Sequence, residues 1–198
     1  MPNLTRKEIM RLFYRATMAA IGEDPDKKYG SSKPPVRLTY STFGKPDWTV
    51  NDDVIFLTFR DAGGDETTQP IHEVWEDAGR DLICRHYMNR VLQISFTAYG
   101  PNGYDHLLEV KHAFLDGSDV LRKAGIMIIP SAETPQYVPE NYQNMWWDRA
   151  DLTLRFNYLM RWDEDVKAIE KVPVTIHANP PGESHRVQTD SGIIIKKG

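Results

Sequence analysis

A chain of 198 residues, 40% hydrophobic and 26% charged, is long enough to bury one core and too apolar to stay unfolded. Its formal net charge of −4 argues against a whole surface built to wrap nucleic acid, which needs a concentrated basic footprint, while a small basic patch is compatible with it. One cysteine, Cys84, rules out an intrachain disulfide, and no run approaches the ~20 apolar residues of a membrane-spanning helix. With no apolar leader at Met1 to Glu8, a protein made and kept in a reducing cytoplasm is expected.

In chain order, Thr5-Arg-Lys-Glu8 fits a capping box, and Ile9, Leu12, Phe13, Ala16 and Ala20 then form one apolar helical stripe that Gly22 ends. Residues 22–35 are rich in glycine, proline and charge and are expected to form a long exposed loop, mobile or held by a partner. Val36 to Tyr40 predicts a strand, followed by a turn at Gly44-Lys45-Pro46. Asp53 to Arg60 predicts another strand, apolar on both faces and therefore covered. A turn follows at Ala62 to Asp65, and residues 66–80 fit either a strand or a short helix. Leu82 to Met88 is a further strand or runs directly into the strand Arg90 to Tyr99.

Gly100-Pro-Asn-Gly103 stops that strand. A helix follows with Asp105 as its expected N-cap, burying Leu107, Val110 and Phe114 or else Leu108 and Leu115. Asp116-Gly-Ser118 interrupts it, Val120 to Ala124 resumes it and Gly125 ends it before the apolar run Ile126 to Ile129. A proline-broken loop then leads to Leu152–Trp162, where Leu152, Leu154, Phe156, Tyr158, Met160 and Trp162 alternate onto one side of a strand. Asp163-Glu-Asp165 reads as an acidic turn, and Val172 to His177 as a short strand. The fold expected is α+β: a mixed, mostly antiparallel sheet flanked by two main helices, with residues 1–177 as the domain and 178–198 as a C-terminal arm, flexible or paired with another chain.

Catalytic groups are sparse. Cys84 and His86 share a strand face, with His72 on a neighbouring segment, but no further paired motif completes a zinc site. A buried cysteine and an edge histidine account for them, and a metal-dependent hydrolase is the weakest of the functional readings. No nucleophile elbow is present, and Gly100 to Gly103 lacks the Lys-Ser/Thr of a phosphate loop. The acidic pairs fall at expected element ends. No catalytic residue, cofactor or metal is expected.

Trp146-Trp147-Asp148-Arg149 carries two readings. Both tryptophans cover the open end of the sheet, or one of them joins Arg149 as an interface anchor, since Trp, Tyr and Arg dominate binding hot spots. Tyr137 and Tyr142 belong to the same aromatic, proline-stiffened stretch.

The helix at 5–20, the run Ala98-Tyr-Gly-Pro-Asn-Gly-Tyr-Asp105 with its helix, and Trp147-Asp-Arg-Ala-Asp-Leu-Thr-Leu154 occur in a telling order. Over residues 5–176 the chain resembles the tail-terminator or neck-terminator proteins of tailed bacteriophages. The resemblance implies a helix-flanked mixed sheet and a homo-hexameric ring at the head-proximal end of the tail tube. Such a ring ends tube polymerisation, docks neck, connector or head-completion proteins, and lets DNA pass through its channel without specific binding. Virion localisation follows, after assembly in the host cytoplasm. A head-completion or tail-tube role in the same virion is the alternative, because 82–99 offers a long hairpin strand.

Overall fold

The computed structural model describes residues 3–30, 32–38, 46–62, 71–77, 81–167, 172–173 and 192–193. The expected turn at 44–46 falls largely outside them, as do the turn at 63–65 and most of the arm.

Helix α1 spans Arg6–Ala20 and starts as its sequence requires. The Glu8 amide donates to Thr5 Oγ1, while Glu8 Oε2 accepts from the Thr5 amide at 2.7 Å, so two amides left without helical partners are satisfied locally. The apolar stripe buries Ile9, Phe13, Ala16 and Met18. The loop after it is tied back by the chain itself. Arg15 grips Asp26 with two hydrogen bonds, and the Tyr29 hydroxyl donates to Glu23 at 3.1 Å.

Strands β1 (Val36–Arg37) and β2 (Val54–Asp61) pair in parallel, and β2 runs antiparallel to β4 (Asp81–Tyr99), from Val54 opposite Tyr99 to Asp61 opposite Leu92. The ambiguous segment resolves into β3 (His72–Asp77), which pairs with β4. The stretch 82–88 and the strand at 90–99 are one continuous element. β5 (Ile126–Ile129) runs antiparallel to β9 (Arg149–Lys167), as does the short β6 (Gln136–Tyr137), and the main sheet has the order β1-β2-β4-β9-β5. The fold is therefore α+β with a mostly antiparallel mixed sheet.

Three expectations are corrected. Helix α2 spans Gly103–Asp116, with Asn102 at its N-cap and Asp105 inside its first turn. The Asn102 side chain caps nothing in the helix because it is spent elsewhere: Asp53, at the foot of β2, accepts from the Asn102 amide and side-chain Nδ2, both at 2.9 Å. The acidic run 163–165 continues β9 instead of turning, since Asp163 and Glu164 find Arg85 and His86 as cross-strand partners. The proline-broken loop contains a hairpin, β7 (Glu140–Tyr142) and β8 (Met145–Trp147). Its loop residues Gln143 and Asn144 both have positive φ, at 50° and 61°, the backbone of a tight hairpin turn matched to strand twist.

Helices α1, α2 and α3 (Asp119–Lys123) cover one sheet face. Period-two alternation delivers Leu92, Ile94, Phe96 and Ala98 of β4, with Leu152, Leu154, Phe156 and Tyr158 of β9, to that face. Phe13, Phe114 and Phe156 meet edge to face there, with centroids 4.7 Å apart for Phe13–Phe156 and 5.5 Å for Phe114–Phe156. Of the two helical alternatives, Leu107, Val110 and Phe114 are the buried set, and Leu115 is exposed.

The chain divides into two compact units, one of Met1–His72 with Tyr87–Trp162, the other of Glu73–His86 with Asp163–Gly198. In the second, β10 (Val172–Pro173) pairs antiparallel with β11 (Gly192–Ile193), so this part of the C-terminal segment folds back on its own chain.

Candidate assembly surface

On the sheet face away from the helices, the residues that alternate outward at one end are aromatic. Trp48 packs on Phe56 and Tyr99 with centroids 4.8 and 5.4 Å apart, and Trp147 meets Trp48 and Tyr99 at 6.2 and 6.3 Å. The Arg37 guanidinium lies 5.7 Å above the Trp48 ring. Tyr142, on the hairpin, touches Trp147 at 6.3 Å. The two adjacent tryptophans therefore separate: Trp147 is 6% exposed, while Trp146 is 70% exposed.

A polar frame locks the hairpin in place. Arg149 donates to both oxygens of Asp151, at 3.1 and 2.9 Å, and to Glu140 Oε2 at 3.0 Å, where the Tyr99 hydroxyl also donates at 3.0 Å. The bidentate contact with Asp151, and then Glu140, hold the guanidinium in its charged form well beyond its ordinary range. Tyr137 donates its hydroxyl to Asp148, which raises the phenol pKa.

The Tyr-Gly-Pro-Asn-Gly turn and the Trp-Asp-Arg run, distant in sequence, are bonded to each other: the Gly100 amide donates to the Asp148 carbonyl at 3.1 Å. Gly100 has φ of +101°, and a Cβ there would sit 2.5 Å from Asp53 Oδ1 and 2.6 Å from the Asp52 carbonyl oxygen, so only glycine fits this approach. Residues 8–179 match the family described as phage neck terminator protein. The chain belongs to that family. It is a family of phage structural proteins of the neck, not a class of enzyme. No curated protein matches the chain.

In this terminator chain the structure sorts the residues singled out by sequence. Trp146 and Tyr137 face solvent, the latter 58% exposed, whereas Trp147, Tyr142 and Arg149 form the support beneath. Sequence reasoning missed Met145, 50% exposed, and Val138, 42% exposed. It also missed Glu140, which joins Tyr99 to Arg149, and nothing in its neighbourhood marks that role. Cys84 and His86 do come together, but with Glu73 as third neighbour, not His72. Among the described residues, an open groove of about 590 Å³ between Arg6, Lys7 and Met10 of α1 and Leu57, Thr58 and Phe59 of β2 is lined by no carboxylate, histidine or cysteine.

Proposed function

We propose that this neck terminator acts as a homo-hexameric ring at the head-proximal end of the tail tube, where it ends polymerisation and docks connector or head-completion proteins. The observation that carries the reading is that Trp146 and Tyr137, with Met145 and Val138, are each exposed on a hairpin and the strand before it, whose neighbours Trp147, Tyr142 and Arg149 are held by packing and hydrogen bonds. Large aromatic side chains on a preorganised support are what a binding hot spot requires, and a monomer gains nothing by exposing them. Head-to-tail contacts close into a ring when the rotation between copies permits. A net charge of −4 suits a channel through which DNA passes without being held. The segment 178–198 serves as an arm that exchanges its pairing with a neighbouring copy.

Negative-stain microscopy and light scattering of the chain, alone and with tail-tube protein, test this. Rings are expected, and Trp146→Ala should weaken their formation at least tenfold while leaving the subunit's melting temperature unchanged. A subunit that stays monomeric in both settings overturns the reading. Strands β4 and β9, each 19 residues long, favour the second reading, a tail-tube component. Finding the protein in every ring along the tail, instead of once, would establish that reading.

A further inference from the structure

Around Cys84 the described chain gathers donors without gathering a core. In the unit of Glu73–His86 and Asp163–Gly198, Cys84 is the one buried apolar side chain among the described residues, 2% exposed, while Val74 and Trp75 of the same hairpin stand in solvent. Among the described residues the pairing of β3 with β4 there has little buried apolar volume to hold it, and small elements of that kind are commonly stapled by metal or disulfide. With a single cysteine, a disulfide within the chain is impossible.

The donor atoms of Glu73, Cys84 and His86 all lie within 4.8 Å of one another. Zinc bonds of about 2.3 Å to sulfur and about 2.0–2.2 Å to nitrogen and oxygen put tetrahedral donors roughly 3.3–3.8 Å apart, so modest rotamer changes close the set. His86 Nδ1 is 3.7 Å from Glu73 Oε1. Its second nitrogen, Nε2, is 3.2 Å from Glu164 Oε2. That is an independent sign, because a ligating histidine characteristically donates its free N–H to a carboxylate, which fixes the tautomer and raises the basicity of the ligating nitrogen. The Arg85 guanidinium is engaged by Glu76 at 2.7 Å and Asp163 at 3.2 Å.

We propose that Glu73, Cys84 and His86 bind one divalent transition-metal ion of zinc type, with Glu164 orienting the imidazole and a water in the fourth position. The ion clips β3 to β4, a structural role separate from ring formation. On binding, the Cys84 S–H bond breaks, its proton goes to solvent and the thiolate pair forms the metal–sulfur bond; His86 stays neutral, with Nδ1 on the metal and Nε2–H on Glu164. Without the ion, burial first, and then the charges of Glu73 and Glu164, keep the thiol protonated by raising its pKa.

The test uses untagged full-length protein. Elemental analysis after growth with zinc should find about one equivalent, and titration of the stripped protein with Co(II) should give a thiolate-to-metal charge-transfer band. Cys84→Ser should abolish the band, and Glu164→Gln should weaken binding by about 10–100-fold, the usual loss for an outer carboxylate. Far-UV circular dichroism confirms that each variant is folded, and the wild-type titration stands even where one is not. Wild-type protein with trace metal and no band, or a Cys84→Ser/His86→Gln double variant that binds as well as wild type, overturns the proposal. Failure to form rings would leave the metal measurement untouched.

Discussion

The described parts of the two compact units are stabilised by different physics. In the unit of Met1–His72 and Tyr87–Trp162, three helices press apolar side chains onto a sheet face, and Phe13, Phe96, Phe114 and Phe156 are all at most 2% exposed. In the described part of the other, Arg85, His86, Glu73, Glu76, Asp163 and Glu164 do the holding, around one buried thiol. Apolar burial has no titrating group and is not screened by dilute salt, whereas charge pairing is weakened by salt and changes with the protonation of its groups. The difference teaches that one chain can hold both an apolar framework and a conditional, charge-held element.

The sharpest way to break this comparison is a cavity in each. Phe156→Ala should cost about 3–5 kcal/mol in denaturant unfolding, while Trp75→Ala, on the half-exposed hairpin, should stay within about 0.5 kcal/mol. Equal losses would show that both units rest on apolar packing. Next in size is Gly100→Ala, which places a Cβ against Asp53 and the Asp52 carbonyl at a positive φ. A loss of about 1–3 kcal/mol is expected by chemical denaturation, with the Gly100–Asp148 bond disturbed.

Arg85→Ala should cost no more than about 1 kcal/mol, and the loss should shrink in high salt, since the Glu76 and Asp163 carboxylates that it pairs with are 47% and 41% exposed. A salt-independent loss would mean that the arginine stem is packed instead. The smallest effect concerns acid. Hydrogen bonds from Thr5 depress the pKa of Glu8, Arg15 depresses that of Asp26, and bonds from Thr49 depress that of Asp52. A carboxyl whose folded pKa lies below its unfolded value adds stability that is present above the unfolded value and lost as pH falls through the folded one. Thermal melting should therefore decline on acidification below the ordinary carboxyl range and be flat from there to neutrality. Glu8→Gln should flatten the acid limb slightly.

Much of the framework was legible because its signals are local. Thr5 and Glu8 lie within one helical turn, and the apolar residues of Leu152–Trp162 repeat every second position, so neither needs knowledge of the rest of the chain. What failed was nonlocal. The start of α2 at Asn102 is held by Asp53, 49 residues away, and the acidic run at 163–165 is a strand because partners 78 residues away receive it. The β7–β8 hairpin escaped notice because Gln143-Asn144 takes positive φ without a glycine to announce it. In the candidate surface, Trp146 and Trp147 stood out by type, yet nothing in their order told which would be buried.

By itself, the sequence determined the α+β class, the helix-covered face and the likeness to neck terminators, since all three reside in short-range spacing and element order. Only the tertiary structure decided that Trp147 is the plug and Trp146 the exposed contact, that Arg149 is braced by Asp151 and Glu140, and that Cys84 and His86 meet Glu73 rather than His72. Those outcomes depend on strand register, which pairs residues tens of positions apart and turns each side chain to one face or the other.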